Sequence, residues 1–308
     1  MPSKKKIDQK KVFTKKIKRQ IILISTILTL SIIGYFLLIK TPPSISIHER
    51  QLNIVSTNKL VDEAIFHIAF SRCNRHTITL NKKKNKLSKK SKKALKKADL
   101  IISMNTKQTE TIYKKQEKRK KDKRLIILSK EMKQKNDHYY LDPKIWQQAL
   151  EIIEKKLIEL DKTNRAFYTK NKYIYTLRLN ETHKEIKRLI KQIPPNKRLV
   201  VTNTNALNMF LKTYNLTPQI LPINAHPTHN IIIKIAKKLK QKKINTIFAL
   251  ENGNKTSLLS IKKAAKKIDH TISLKNLHIY PSEKYPHSHS YINLSIKNAI
   301  ILNTNLNK

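Results

Sequence analysis

The sequence predicts an α/β protein with two parallel-sheet lobes joined by a long spine helix and preceded by one N-terminal transmembrane helix. Three observations predict it. Short apolar strand patterns alternate with amphipathic helix patterns on both sides of the chain's middle. Helical periodicity runs for about fifty residues between those two regions. A run of nineteen uncharged, mostly aliphatic residues lies close to the start.

That run, Ile21 to Ile39 (IILISTILTLSIIGYFLLI), reaches roughly 28 Å as a helix, close to the hydrocarbon thickness of a bilayer. Nine Lys/Arg and one Asp precede it within twenty residues, whereas only Lys40, Glu49 and Arg50 follow within the next eleven. The positive-inside bias therefore keeps residues 1–20 in the cytoplasm and places 41–308 outside. No A-x-A cleavage site follows the run, so it reads as an uncleaved signal anchor, with cleavage near Thr41 as the alternative. The chain's one cysteine, Cys73, is not near it and offers no lipid attachment point there.

The first lobe is expected over 41–141. Leu52–Ser56 reads as a strand. Val61–Phe70 reads as a helix with Val61, Ala64, Ile65, Ile68 and Ala69 on one face. Thr77–Leu80 is a second strand candidate, and Leu87–Ala98 a lysine-studded helix with Leu87, Ala94, Leu95 and Ala98 inward. Leu100–Met104 and Leu125–Leu128 are apolar throughout, as buried parallel strands are.

The spine is expected over 142–193. Asp142-Pro143 supplies an N-cap followed by proline at the first helical position. Ile145, Leu150, Ile153, Leu157 and Leu160 recur at helical spacing. The pattern resumes through Phe167, Ile174, Leu177, Ile186, Leu189 and Ile190 and stops at Pro194-Pro195.

The second lobe, 197–308, repeats the alternation. Strands are expected at Leu199–Val201, Gln219–Leu221, Thr246–Leu250 and Thr271–Leu274. Helices are expected at Ala206–Tyr214, Asn230–Gln241, Ser257–Ile268 and Tyr291–Leu302. Ligands of such sheets bind beyond the strands' carboxyl ends, here the cleft between the lobes.

Composition limits the chemistry. The chain has 66 Lys+Arg against 20 Asp+Glu, net +46, and two glycines in 308 residues. So few glycines exclude the phosphate-cradling loops of nucleotide-binding motifs. Lysine is spread along the chain with Asn and Ile, so much of the charge reads as compositional. One tract stands out, Lys82 to Lys97, with ten lysines in sixteen residues. The exported part, with 56 Lys+Arg against 19 Asp+Glu, is net +37 and would meet anionic lipid or cell-wall polymer through Lys82, Lys83, Lys84 and Lys86. No nucleic-acid partner is expected, because aromatic and basic residues are not interleaved. Cys73 has no motif spacing and reads as a small buried hydrophobe. No Ser/His/Asp order, carboxylate pair or activated thiol stands out, so no enzyme is expected.

Several stretches together resemble the cluster A-I solute-binding proteins, the zinc/manganese/iron receptors of ABC importers. Asn136-Asp-His-Tyr-Tyr-Leu-Asp-Pro143 resembles their D-P-H-x-W-x-D-P signature. Asp161-Lys-Thr-Asn164 with Tyr168, Asn171 and Tyr173 is similar to D-P-x-N-x-x-x-Y-x-x-N. Ile193-Pro-Pro-Asn-Lys-Arg198 looks like I-P-x-x-x-R. Val201 to Leu216 follows V-T-x-H-D-A-F-x-Y-F-x-x-x-Y-G-L without a gap. Ala98-Asp-Leu-Ile-Ile102 and Tyr291 to Asn298 match the first-lobe strand and the closing helix. The similarity spans roughly 50 to 305, in order.

The resemblance implies a membrane-anchored extracytoplasmic binding protein that delivers Zn²⁺, Mn²⁺ or Fe²⁺ to an ABC permease in the same membrane. It also implies a ligand set of three histidines and a carboxylate, and here the sequence departs. The first-lobe histidine position falls on Lys83, and the V-T-x-H-D histidine and aspartate on Thr204 and Asn205. The F-x-x-E glutamate falls on Leu250, with Glu251 one residue late, and the L-D-x-L aspartate on Lys275. His138 of the D-P-H element is retained. Taken alone it reads as a hydrogen-bonded structural histidine; with Glu251 and one of His226, His287 or His289 it forms a candidate set for a divalent metal ion, Zn or Mn. His229 follows His226, and the His287-Ser-His289 pair sits in a polar loop. The alternative is a metal-free clamshell module for binding or adhesion with a basic surface.

Overall fold

A computed structural model describes residues 51–78, 80–81, 86–105, 123–223, 227–251, 253–279 and 290–307. The expected transmembrane segment 21–39, the lysines Lys82, Lys83 and Lys84, and the histidines His226, His287 and His289 lie outside them. None of the described helices is long and apolar enough to cross a membrane.

The first sheet has the order β2-β1-β5-β6, all parallel, with β1 at Leu52–Ser56, β2 at Cys73–Thr77, β5 at Leu100–Ser103 and β6 at Leu125–Ile127. Helix α1 (Lys59–Ala69) joins β1 to β2. A two-residue antiparallel pair, β3 (Leu80–Asn81) and β4 (Lys86–Leu87), then leads to α2 (Lys89–Lys97). The sequence places the second strand at Thr77–Leu80, but the structure places it at Cys73–Thr77. Its residues CNRHT are largely polar because it is an edge strand, and hydrophobic periodicity is weak where one side is solvated. Cys73 is 7% exposed. Burial pushes its thiol up to about 12, which makes it inert.

The helical middle is two helices. After the short α3 (Leu128–Glu131), α4 runs over Pro143–Leu160 and α5 over Arg165–Lys191, separated by a 3₁₀ turn at Lys162–Asn164. Asp142 caps α4 as expected, its side chain accepting from the backbone N–H groups of Lys144 and Ile145. At the break, Asp161 accepts from the Asn164 backbone N–H, the Asn164 amide and, at 2.6 Å, the Tyr168 hydroxyl.

The phase of the buried stripe differs from expectation. Tyr168, Tyr175, Leu179, Thr182, Ile186 and Ile190 face inward, while Ile174 and Leu177 are each 45% exposed and Leu160 is 46% exposed. The tyrosines bury whole rings because their hydroxyls find carboxylates, Asp161 for Tyr168 and Glu63 for Tyr175. Trp146 is fully buried on α4.

The second sheet, order β10-β9-β7-β8, is also all parallel. It comprises β7 (Leu199–Thr202), β8 (Thr217–Ile220), β9 (Thr246–Leu250) and β10 (Ser273–Leu277). Helices α6 (Asn208–Thr213), α7 (His229–Gln241) and α8 (Thr256–Lys266) connect the strands, and α9 (Tyr291–Leu306) closes the chain.

Alternation along the strands divides each sheet between two cores. Ile54, Leu100 and Ile102 face a core shared with α4 and α5, while Val55 and Ile101 face Leu95 and Ala98 beside α2. Val200 and Phe248 join the shared core, while Val201, Ile247 and Ala249 pack against α7 and α8. One hydrophobic cluster therefore runs from the first sheet through the spine to the second. It fixes the strand ends that could face a ligand.

Candidate metal site

His138 begins a 3₁₀ turn (Tyr139–Leu141) just ahead of α4. Its backbone N–H donates to Asn136 Oδ1 at 2.8 Å, and its Nδ1 lies 3.3 Å from the Tyr140 hydroxyl. The turn is pinned to the end of β5, because the buried Tyr139 hydroxyl donates to the Met104 carbonyl at 2.9 Å. It is pinned to the second lobe through Asp142, whose Oδ2 accepts from Thr213 Oγ1 on α6 at 3.0 Å. The half-buried imidazole is thus held beside the carboxyl end of the first sheet.

Glu251 follows β9 directly. Its backbone N–H donates to the Leu277 carbonyl of β10 at 2.9 Å, which carries the strand pairing one residue beyond Leu250. The next residue of β10's chain is His278, and its Nδ1 lies 2.7 Å from Glu251 Oε2. His278 is 5% exposed. Its backbone is clamped on both sides by the buried Asn298 of α9, whose Oδ1 accepts from the His278 N–H at 2.8 Å and whose Nδ2 donates to the His278 carbonyl at 2.7 Å. The closing helix therefore sets the height of this histidine above the strand ends.

The positions to which the resemblance assigns further ligands take other roles. Thr204 Oγ1 accepts from the Ala206 backbone N–H at 3.2 Å, a local turn bond that uses the hydroxyl within its own loop. The neighbouring Asn205 carbonyl accepts from the Asn208 N–H at 3.0 Å. Leu250 packs its side chain on the shared core. Lys275 sits within β10 opposite Phe248, not at a strand end. Two buried oxygens nearby in sequence, Thr202 Oγ1 at the end of β7 and Asn208 Oδ1 at the start of α6, have no hydrogen-bond partner among the described residues.

The structure therefore joins Glu251 to a histidine that sequence reasoning did not select, and holds His138 on the other lobe with Tyr140 and Asn136. Among the described residues no group of three or more His, Cys, Asp or Glu side chains is close enough to hold a metal ion. The signal for His278 was the strand boundary. With β10 ending at Leu277 instead of Leu274, His278 is the first residue past the strand, where sheets of this kind present ligand groups.

The family described as zinc-uptake complex component A, periplasmic, matches residues 81–304 of this sequence. The chain belongs to that family. The manganese ABC transporter substrate-binding lipoprotein ScaA of Streptococcus gordonii is 27% identical over 236 residues, 69% of this chain and 76% of that protein. The metal ABC transporter substrate-binding lipoprotein SloC of Streptococcus mutans is 29% identical over 138 residues, 44% of this chain and 45% of that protein. The chain thus spans less than half the length of SloC and about three quarters of ScaA. Among solved structures, the periplasmic zinc-binding protein TroA from Treponema pallidum superposes with a TM-score of 0.71 at 15% identity, covering 84% of this chain and all of that one. The metal-dependent lipoprotein YcdH from Bacillus subtilis gives 0.67 at 19% identity, over 84% of this chain and all of that one. These two likenesses show a common fold of two parallel sheets bridged by long helices.

Proposed function

We propose that this chain is the extracytoplasmic solute-binding component of an ABC importer for Zn²⁺ or Mn²⁺, working with a permease in the same membrane. The Glu251–His278 pair carries the reading. It sets one carboxylate and one imidazole side by side at the ends of adjacent parallel strands, in a chain of this family. Nitrogen and oxygen donors of this kind suit Zn²⁺ and Mn²⁺. His138 would be the third ligand, offered from the first lobe, and His226, His287 or His289 a fourth. His278 in this role replaces the acidic position assigned from the sequence to Lys275. The named relatives that bind manganese or other metals favour this over the metal-free clamshell. Nothing in the site calls for enzymatic chemistry.

The anchor is proposed to be the apolar segment 21–39, with 1–20 inside the cell and both lobes, 41–141 and 197–308, outside on either side of the 142–193 spine. The relatives are named lipoproteins, but Cys73 here is buried in β2 and out of reach of a lipid. The lysines Lys82, Lys83, Lys84 and Lys86 would meet anionic lipid or cell-wall polymer.

The test is elemental analysis of the tag-free full chain purified in detergent, followed by thermal unfolding with and without each ion. A bound ion at about 100 times its dissociation constant stabilises by about 2.7 kcal/mol. One equivalent of metal and an upward shift are expected. Neither ion bound and no shift in unfolding would end the receptor reading.

A further inference from the structure

Helix α2 carries six lysines in nine residues, KKSKKALKK, and no acid in its first turn. Ser91 and Leu95 face inward and are buried. Lys90, Lys93 and Lys97, at i, i+3 and i+7, line one groove together with Asn74, Arg75 and His76 of edge strand β2. The groove has a volume of about 210 Å³, and among the described residues no carboxylate lines it. It adjoins a second hollow of about 320 Å³ that shares Arg75, His76 and Lys90. The acid there, Asp62, is engaged with Arg75 at 2.8 Å.

This arrangement works against the helix that carries it. Like charges three and four residues apart repel, and lysines in the first turn oppose the positive end of the helix dipole. On the two spine helices three lysines do meet acids on the same or the neighbouring helix: Lys156 with Glu159, Lys172 with Glu154, Lys184 with Glu181. The sequence of α2 itself contains no acid. The wall opposite is organised as well: His76 Nε2 lies 3.1 Å from the buried Ser91 Oγ, which receives the hydroxyl of Ser88, the α2 cap. Burial, and then Lys90, lower the His76 pKa, so the imidazole is a neutral hydrogen-bonding group in a positive field.

We propose that this groove, between edge strand β2 and helix α2, binds a linear anion carrying two or more phosphate groups. Lys90 and Lys97 are about 10 Å apart along the helix axis, with Lys93 between them. A single compact anion reaches one or two of these ammonium groups, whereas a chain of phosphates reaches all three. Asn74 adds a side-chain amide donor at the groove wall. The site is separate from the Glu251–His278 pair and does not rest on metal binding.

The test uses the full chain in non-ionic detergent and metal-free buffer, titrated calorimetrically with inorganic tripolyphosphate, with orthophosphate, and with vesicles containing an anionic phospholipid. Saturable one-to-one binding of tripolyphosphate is expected, at least tenfold tighter than orthophosphate. The triple variant Lys90→Ser/Lys93→Ser/Lys97→Ser should weaken it at least tenfold, and Lys93→Ser alone about threefold. A control triple on α7, Lys234→Ser/Lys237→Ser/Lys238→Ser, removes the same charge and should leave it unchanged. Equal loss in both triples would reduce the effect to net charge and overturn the site. So would absence of tripolyphosphate binding, or binding to vesicles alone.

Discussion

His278 Nδ1 lies 2.7 Å from Glu251 Oε2, joining the first residues beyond two adjacent parallel strands, β10 and β9. The histidine is buried and its backbone is held on both sides by Asn298, so the imidazole has little freedom. A carboxylate hydrogen-bonded to Nδ1 in this way fixes the ring, so that in the proposed site Nε2 would be the nitrogen offered to an ion, with the ordering cost met during folding. Glu251→Gln, His278→Ala and His138→Ala are each expected to lower Zn²⁺ or Mn²⁺ affinity tenfold or more, read by titration calorimetry. Unchanged affinity in His278→Ala would remove this histidine from the site.

Glu63 on α1 receives the backbone N–H of Tyr291 on both carboxylate oxygens at 3.1 Å, and so caps the closing helix. The Tyr175 hydroxyl is 3.3 Å away and His67 Nε2 3.8 Å. Burial raises the Glu63 pKa to about 7, against the lowering effect of the Tyr291 N–H, the Tyr175 hydroxyl and Arg178. Burial, then Arg178 and Arg75, lower that of His67 to about 4. For Glu63 the stabilising contribution is complete below the unfolded value near 4.5 and is lost as pH rises through 7, a difference of about 3 kcal/mol. For His67 stability is lost as pH falls from 6.5 towards 4. Glu63→Gln should therefore raise the unfolding midpoint at pH 8, with the gain shrinking to near zero by about pH 4.5. An equal gain at both pH values would show that the carboxylate's charge is not the cause.

Asp142 does two jobs with two oxygens. Oδ1 caps α4, and Oδ2 accepts from Thr213 on the other lobe. Asp142→Ala should lose the cap, about 1 kcal/mol, and the bond between lobes, about 1 kcal/mol more. Asp142→Asn should keep most of the cap and lose less. Urea unfolding midpoints measure both, and equal midpoints for the two variants would contradict this division.

The proposed topology is tested by protease added to intact cells or spheroplasts. Digestion of 41–308 with protection of 1–20 is expected. Survival of the second lobe alongside a cytoplasmic marker would reverse the orientation.

The alternation of elements, both sheets' inner strands and the start of the spine were legible because each rests on a local signal. Buried parallel strands such as LIIS are apolar on both faces, and Asp142-Pro143 caps a helix by its own chemistry. Edge strand β2 carries little hydrophobic signal because it is paired on one side only. The inward phase of α5 is not legible from aliphatic periodicity, because the buried tyrosines' hydroxyls find acids far away in sequence.

Residue type and spacing alone carry the two-lobed α/β architecture, the apolar segment near the start, and the resemblance that puts family ligand positions on Thr204, Leu250 and Lys275. That Glu251 meets His278, that Glu63 caps a helix 228 residues away, and that three lysines of α2 share a groove with β2 emerge from the folded chain. Each depends on strand register and on the end point of an element. Side-chain contact between distant segments is set there by packing of the shared core, which no local pattern encodes.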